Sequence, residues 1–188
     1  SLVYNMPPKF GAIKRINVMR DTDSLKRNLN IYIISEDRNE NLIATPSTIK
    51  VNLKTWLSNH KMINDTIDIL DAKIVNFGLN FVIIADMEEN KHKILAKASR
   101  ALRTRLAGIK MDISEPFRVT DVYGILKNVE GVLDVVTIDI TRKVGGLYSD
   151  IRYDFESNMT PDGRLLLAPE NVILEIKYPE TDIRGVVK

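Results

Sequence analysis

Cysteine is absent from this chain of 188 residues, which removes disulfides, thiolate nucleophiles and the usual zinc thiolates together. A cysteine-stapled secreted scaffold is thereby excluded, while a reducing compartment stays open. Histidine is scarce as well: His60 and His92 are the only two. Neither is followed by a second histidine or a carboxylate four residues on, so no zinc donor set forms. Their expected places are a helix end beside Trp56 and an exposed surface position. No apolar run approaches the roughly 18 residues of a membrane span. The longest candidate, Phe77 to Ala85, is broken by Gly78 and Asn80. Charge of one sign is lacking too: 27 Lys and Arg face 25 Asp and Glu, a formal net charge of +2. A protein that tracks phosphate carries a stronger basic excess concentrated on one face.

What remains is a globular composition, 44% hydrophobic and 28% charged, with enough length for a real core. One domain with an extension, or two small ones, fits that length. The chain opens on Ser1, with no signal-peptide pattern behind it. The expectation is a piece of a longer protein.

Periodicity then predicts the elements. A weakly marked strand falls around Ile13 to Met19, and Asp21-Thr22-Asp23-Ser24 punctuates as a turn. Leu29, Ile31 and Ile33 alternate with Asn30 and Tyr32 as a strand. Thr45-Pro46 opens a helix, Thr45 as cap and Pro46 at the first helical position. Ile49, Leu53, Trp56 and Leu57 form its apolar stripe. Thr66 to Leu70 and Lys73 to Asp86 read as strands, and the short Asp71-Ala72 link predicts an antiparallel hairpin. In the longer strand Val75, Phe77, Leu79, Phe81 and Ile83 share a face.

A second helix is predicted over Glu88 to Leu106, with Glu88 and Glu89 in its first turn and Arg103 and Arg105 in its last. Ile94, Leu95, Ala98, Leu102 and Leu106 form its buried stripe. A third helix runs from Thr120 to Val129, burying Val122, Tyr123, Leu126 and Val129. The strand Val132 to Thr141 follows, with Val136, Ile138 and Ile140 on one face. Composition then shifts to turn signals, among them Gly145-Gly146 and Pro161-Asp162-Gly163. A last strand, Asn171 to Tyr178, ends at Pro179.

The succession from Leu29 is β-α-β-β-α-α-β. It predicts an α/β (α+β) two-layer sandwich with a mixed or antiparallel sheet and helices on one face. Its order approximates the ferredoxin-like split βαβ with an added helix. The expected division is residues 1–24 as strand and linker, 25–142 as the α/β domain, and 143–188 as an extended tail. A tail strand must satisfy its backbone on its own sheet or on a neighbour. The neighbour is favoured, through Val172, Ile173, Leu174, Ile176, Tyr178 and Ile183.

Chemistry finds little to use. Asp65, Asp68 and Asp71 are spaced by three, so on a strand the middle one faces away from the others, and a calcium loop's glycine and glutamate are missing. There is no Gly-x-Ser-x-Gly elbow and no phosphate-cradling glycine loop. The expectation is no catalytic residue, no cofactor and no metal. The one candidate for nucleic acid is the basic stripe Lys93, Lys97, Arg100 and Arg103 on the second helix. A solvated or protein-facing helix surface looks the same, and stacking aromatics are scarce around it.

Several runs resemble the C-terminal part of baseplate wedge proteins of T4-like contractile-tailed phages, in the baseplate J-like family. They are Leu53-Lys54-Thr55-Trp56-Leu57, Met62-Ile63-Asn64-Asp65 leading into Ile67 to Ala72, and Val75 to Phe81. Asp121-Val122-Tyr123-Gly124-Ile125-Leu126 follows, before Val129-Glu130-Gly131-Val132-Leu133-Asp134-Val135. The run Ala168 to Pro179 completes the likeness, which covers roughly residues 25 to 180. No single motif is diagnostic; order and spacing carry it. The resemblance implies a virion structural protein that forms homodimers and joins other wedge and hub proteins in a ring around the tail hub. It implies a place in the tail baseplate, with passage through the host cytoplasm during assembly. It brings no catalytic residues and no membrane. The N-terminal half such a protein has would lie outside this chain.

Overall fold

Two long strands, each flanked on both edges, organise the chain. The computed structural model describes residues 3–11, 13–21, 28–60 and 66–188. Its contacts separate two units: residues 1–74, 112–114 and 169–173, and residues 75–111, 115–168 and 174–188. The class is mixed α/β, of the α+β kind, with antiparallel and parallel pairings.

In the first unit β2 (Asn28–Glu36) is central. It pairs antiparallel with β1 (Arg15–Arg20) and β3 (Leu42–Ile43), and parallel with β4 (Thr66–Asp71). A parallel neighbour needs a crossover, and α1 (Ser47–Ser58) supplies it. Ile31 and Ile33 pack with Leu53 and Leu57 of α1. Ile34 turns the other way, onto Ala72, Ile113 and Ile173. The end of β2 is therefore covered on both faces. Pro46, not Thr45, sits at the cap of α1. Thr45 is buried, and its hydroxyl accepts from Ser35 at 3.0 Å.

In the second unit β5 (Lys73–Ala85) lies between β7 (Val132–Lys143), antiparallel, and β10 (Ile183–Val187), parallel; β9 (Val172–Glu175) also pairs with β5. The expected alternation holds: Phe77, Leu79, Phe81 and Ile83 are each at most 1% exposed. Burial of each such side chain contributes about 1.5–3 kcal/mol. Two longer helices follow β5. α2 (Lys91–Ala107) buries Ile94, Ala98, Leu102 and Leu106, and α3 (Val119–Lys127) buries Val119, Val122 and Leu126. Short pieces complete the unit: the ribbon of β6 (Phe117–Arg118) and β8 (Leu165–Leu166), α4 (Phe155–Asn158) and α5 (Pro179–Asp182).

Several expectations are corrected. The hairpin across Asp71-Ala72 does not form, because β4 joins β2 in one sheet and β5 enters another. In place of a single sheet the described residues form two four-stranded sheets and the two-stranded ribbon. The chain passes between the two units at 74/75, 111/112, 114/115, 168/169 and 173/174, the first and last of these inside β5 and β9. A boundary within a strand leaves no change of composition to read. α2 starts later than Glu88, because the Asn90 side chain accepts from the His92 and Lys93 amides and caps it there. In β7 the ladder shifts register between Val82 and Ile83, so Val135 faces Ile83 and Val136 is left as the extra, exposed residue. The turn at Asp21 and the resemblance run Met62 to Asp65 fall largely or wholly outside the described residues.

Candidate interaction surfaces

The tail residues go into their own fold. Val172, Ile173, Leu174 and Ile183 are all buried, and Ile176 and Tyr178 are half-buried. β9 and β10 both close on β5, which supplies the backbone partners a neighbouring subunit was expected to give. These six residues therefore offer little free surface.

A polar cluster fastens this closure. Asp182 is 1% exposed. Its carboxylate accepts the Tyr148 hydroxyl at 2.6 Å and the Tyr178 amide at 3.1 Å, and the Lys143 ammonium lies 3.6 Å away. That hydrogen bond to the carboxylate, with burial, raises the Tyr148 pKa above the usual phenol value. Gly145 and Gly146 turn the loop with positive φ, and the buried Asn76 holds it by accepting the Ser149 amide at 2.8 Å. The amide of Asn76 donates to Glu175 at 2.8 Å. Every group here satisfies another group of the fold, so the cluster latches the loop after β7 to the end of the chain.

The other perturbed acids are also structural. Asp154 and Asp162 are held below the usual carboxylate range chiefly by the Ser157 and Thr160 hydroxyls, in a short helix cap and a turn. Asp68 accepts from the Asn28 side chain at 2.9 Å, and Asp71 pairs with Lys50 and accepts the Thr45 amide. Asp65 lies outside the described residues. Among the described residues no cluster of three or more His, Asp or Glu is arranged to hold a metal. No described helix is long and apolar enough to cross a membrane. His60 stacks near Trp56, ring centroids 4.6 Å apart, and His92 is exposed, both as anticipated.

The basic stripe is only partly available. Arg103 is taken by Glu180 at 3.2 Å and the Ile183 carbonyl at 3.2 Å, and Lys97 reaches Glu130 at 3.4 Å. Lys93, Arg100 and Arg105 stay exposed along one open face of α2, beside Ala96 and Ala101. No protein-family model and no curated protein matches this sequence.

The outward face of the second unit's sheet is the one on which Asn76, Gly78 and Asn80 alternate with the apolar residues of β5. Beyond Gly78 it is open: Asn80, Thr137, Asp139 and Arg184 are exposed, with Val186 57% and Ile84 38% exposed. The polar alternation Thr137, Asp139, Thr141 in β7 continues that face.

Proposed function

We propose that this chain is a structural subunit of a contractile phage tail baseplate, similar to the wedge proteins of the baseplate J-like family. In this reading it works by burying surface between protein copies. It associates with itself and with other wedge and hub proteins in a ring around the tail hub, within the virion, after assembly in the host cytoplasm. The ordered run of motifs from Leu53 to Pro179 supports the family. The observation that supports the mode of action is the second unit's sheet, whose outward face is exposed beyond Gly78. Immunogold labelling of purified contractile tails tests the assignment. Gold at the baseplate end is the expected result; unlabelled tails, or label along the sheath, would contradict it.

A second reading rests on the open basic face of α2, where Lys93, Arg100 and Arg105 would meet phosphates. It predicts salt-sensitive binding of DNA or RNA that charge reversal at Lys93, Lys97 and Arg100 abolishes. An absence of binding by the parent chain at low salt ends it.

A further inference from the structure

The open face of the second unit's sheet carries its charge in columns. Across the three strands, Arg184 of β10 pairs with Asn80 of β5, which pairs with Asp139 of β7. In the next row Val186 pairs with Val82, which pairs with Thr137. Alternation puts these six residues on one face. The direction of that face is fixed by Gly185, where an added Cβ would stand 2.3 Å from the Phe81 ring and 2.8 Å from Leu95 of α2. Gly185 thus looks toward α2, and Arg184 and Val186 look away. Nearer the start of β5 the same face is covered, since a Cβ on Gly78 would lie 2.5 Å from the Asp182 carbonyl and 2.9 Å from Lys143. The cover ends at Asn80, which is exposed.

Beyond that point the face has a basic edge, a neutral centre of Asn80, Val82 and Ile84, and an acidic edge. Asp139 has no hydrogen-bond or ion-pair partner among the described residues. Arg184 makes one bond, donating from Nε to the Thr181 carbonyl at 3.3 Å. Edge-to-edge growth from β7 is disfavoured by its two register shifts, which bend the strand and interrupt a ladder. The face is the better surface.

We infer that this face joins two copies of the chain, stacked face to face about a two-fold axis that runs parallel to the strands. The inference rests on the self-association proposed above and assigns its surface. A two-fold interface must be complementary to itself, and the columns discriminate between the two in-plane axes. An axis along the strands lays β10 over the partner's β7. Arg184 then meets the partner's Asp139, twice in the dimer, and Val82 and Ile84 meet their own copies near the axis. An axis across the strands lays β10 on β10 and β7 on β7, like charge on like. Aligned sheets stack about 10 Å apart, a gap that an arginine and an aspartate side chain span together. Three strands by five residues measure roughly 15 by 17 Å, below the size of a standard stable interface. The isolated pair is therefore a weak dimer, which should form as the concentration approaches about 1 mM.

Sedimentation equilibrium of the parent chain, Asp139→Arg, Arg184→Asp and the double exchange tests this. Both positions are exposed, so circular dichroism should show all four folded. Each single reversal turns two attractions into two repulsions and should weaken the dimer roughly tenfold. The double exchange should restore it to within about threefold. A dimer indifferent to both reversals overturns the assigned face and leaves self-association standing. A parent chain that remains monomeric at about 1 mM removes the self-association itself and the assigned face with it.

Discussion

Replacing Tyr148 with phenylalanine deletes one oxygen, and that oxygen fastens the loop after β7 to the end of the chain. The hydroxyl donates to the buried carboxylate of Asp182 at 2.6 Å. A hydrogen bond to a charged acceptor contributes about 1.5–3 kcal/mol, and a buried group left short of a partner adds to the loss. Asp182 retains the Tyr178 amide at 3.1 Å and Lys143 at 3.6 Å, so its charge is not abandoned. The expected cost is about 2 kcal/mol, a fall in Tm of about 4–8 °C at this chain length. Calorimetry reads the first effect, and absorbance of tyrosinate against pH reads a second. The Tyr148 pKa is raised because its neutral form donates to Asp182, while Tyr153 is raised by burial. The folded state thus holds both phenols protonated longer than the unfolded state does. Their contribution to stability is complete below the unfolded pKa of about 10 and is lost as pH rises through the raised values. The parent should show two late-titrating tyrosines and Tyr148→Phe one. A variant that melts within 1 °C of the parent, by the same ~2 kcal/mol argument, and keeps both late components would refute the latch.

Gly185→Ala should destabilise the second unit by about 1–3 kcal/mol, because the new methyl meets the Phe81 ring and Leu95 of α2; denaturant unfolding checks it. Leu53→Ala, which opens a cavity in the cluster of Ile31, Ile33 and Leu57, should cost about 2–5 kcal/mol and appear in the loss of Trp56 fluorescence at lower denaturant. Deleting residues 170–188 should unfold the second unit rather than merely weaken association. It removes Leu174 and Ile183, both buried, from that unit together with the whole of β10, each side chain contributing about 1.5–3 kcal/mol against a total stability of about 5–15. A deletion variant with parental circular dichroism would show that the tail does not belong to the core.

The legibility of this fold divides along a physical line. What depends on neighbours two to four residues away was readable: the stripe Ile94, Ala98, Leu102, Leu106 on α2, and the alternation from Val75 to Ile83 in β5. What depends on the choice between distant partners was not. Asp71-Ala72 has the length of a hairpin link, yet Asp71 turns to Lys50 and the Thr45 amide, and the Ala72 amide donates to the Ile33 carbonyl at 3.0 Å. Those contacts hold β4 on β2, and nothing local encodes them. The tail looked free for a neighbour because its hydrophobic run, Val172 to Ile176, fits any sheet edge; the sequence does not say that β5 leaves its own edge vacant. A register shift moved burial from Val136 to Val135, which no count of alternation foresees. The columns of Arg184 and Asp139 come from strands 45 residues apart in sequence and exist only once β5 lies between them.

Light scattering of this chain across a concentration series tests most directly whether it acts by binding its own kind. The mass should climb from 21.4 kDa toward twice that value as the concentration approaches about 1 mM, and fall back on adding salt. A mass fixed at 21.4 kDa at every concentration would contradict it.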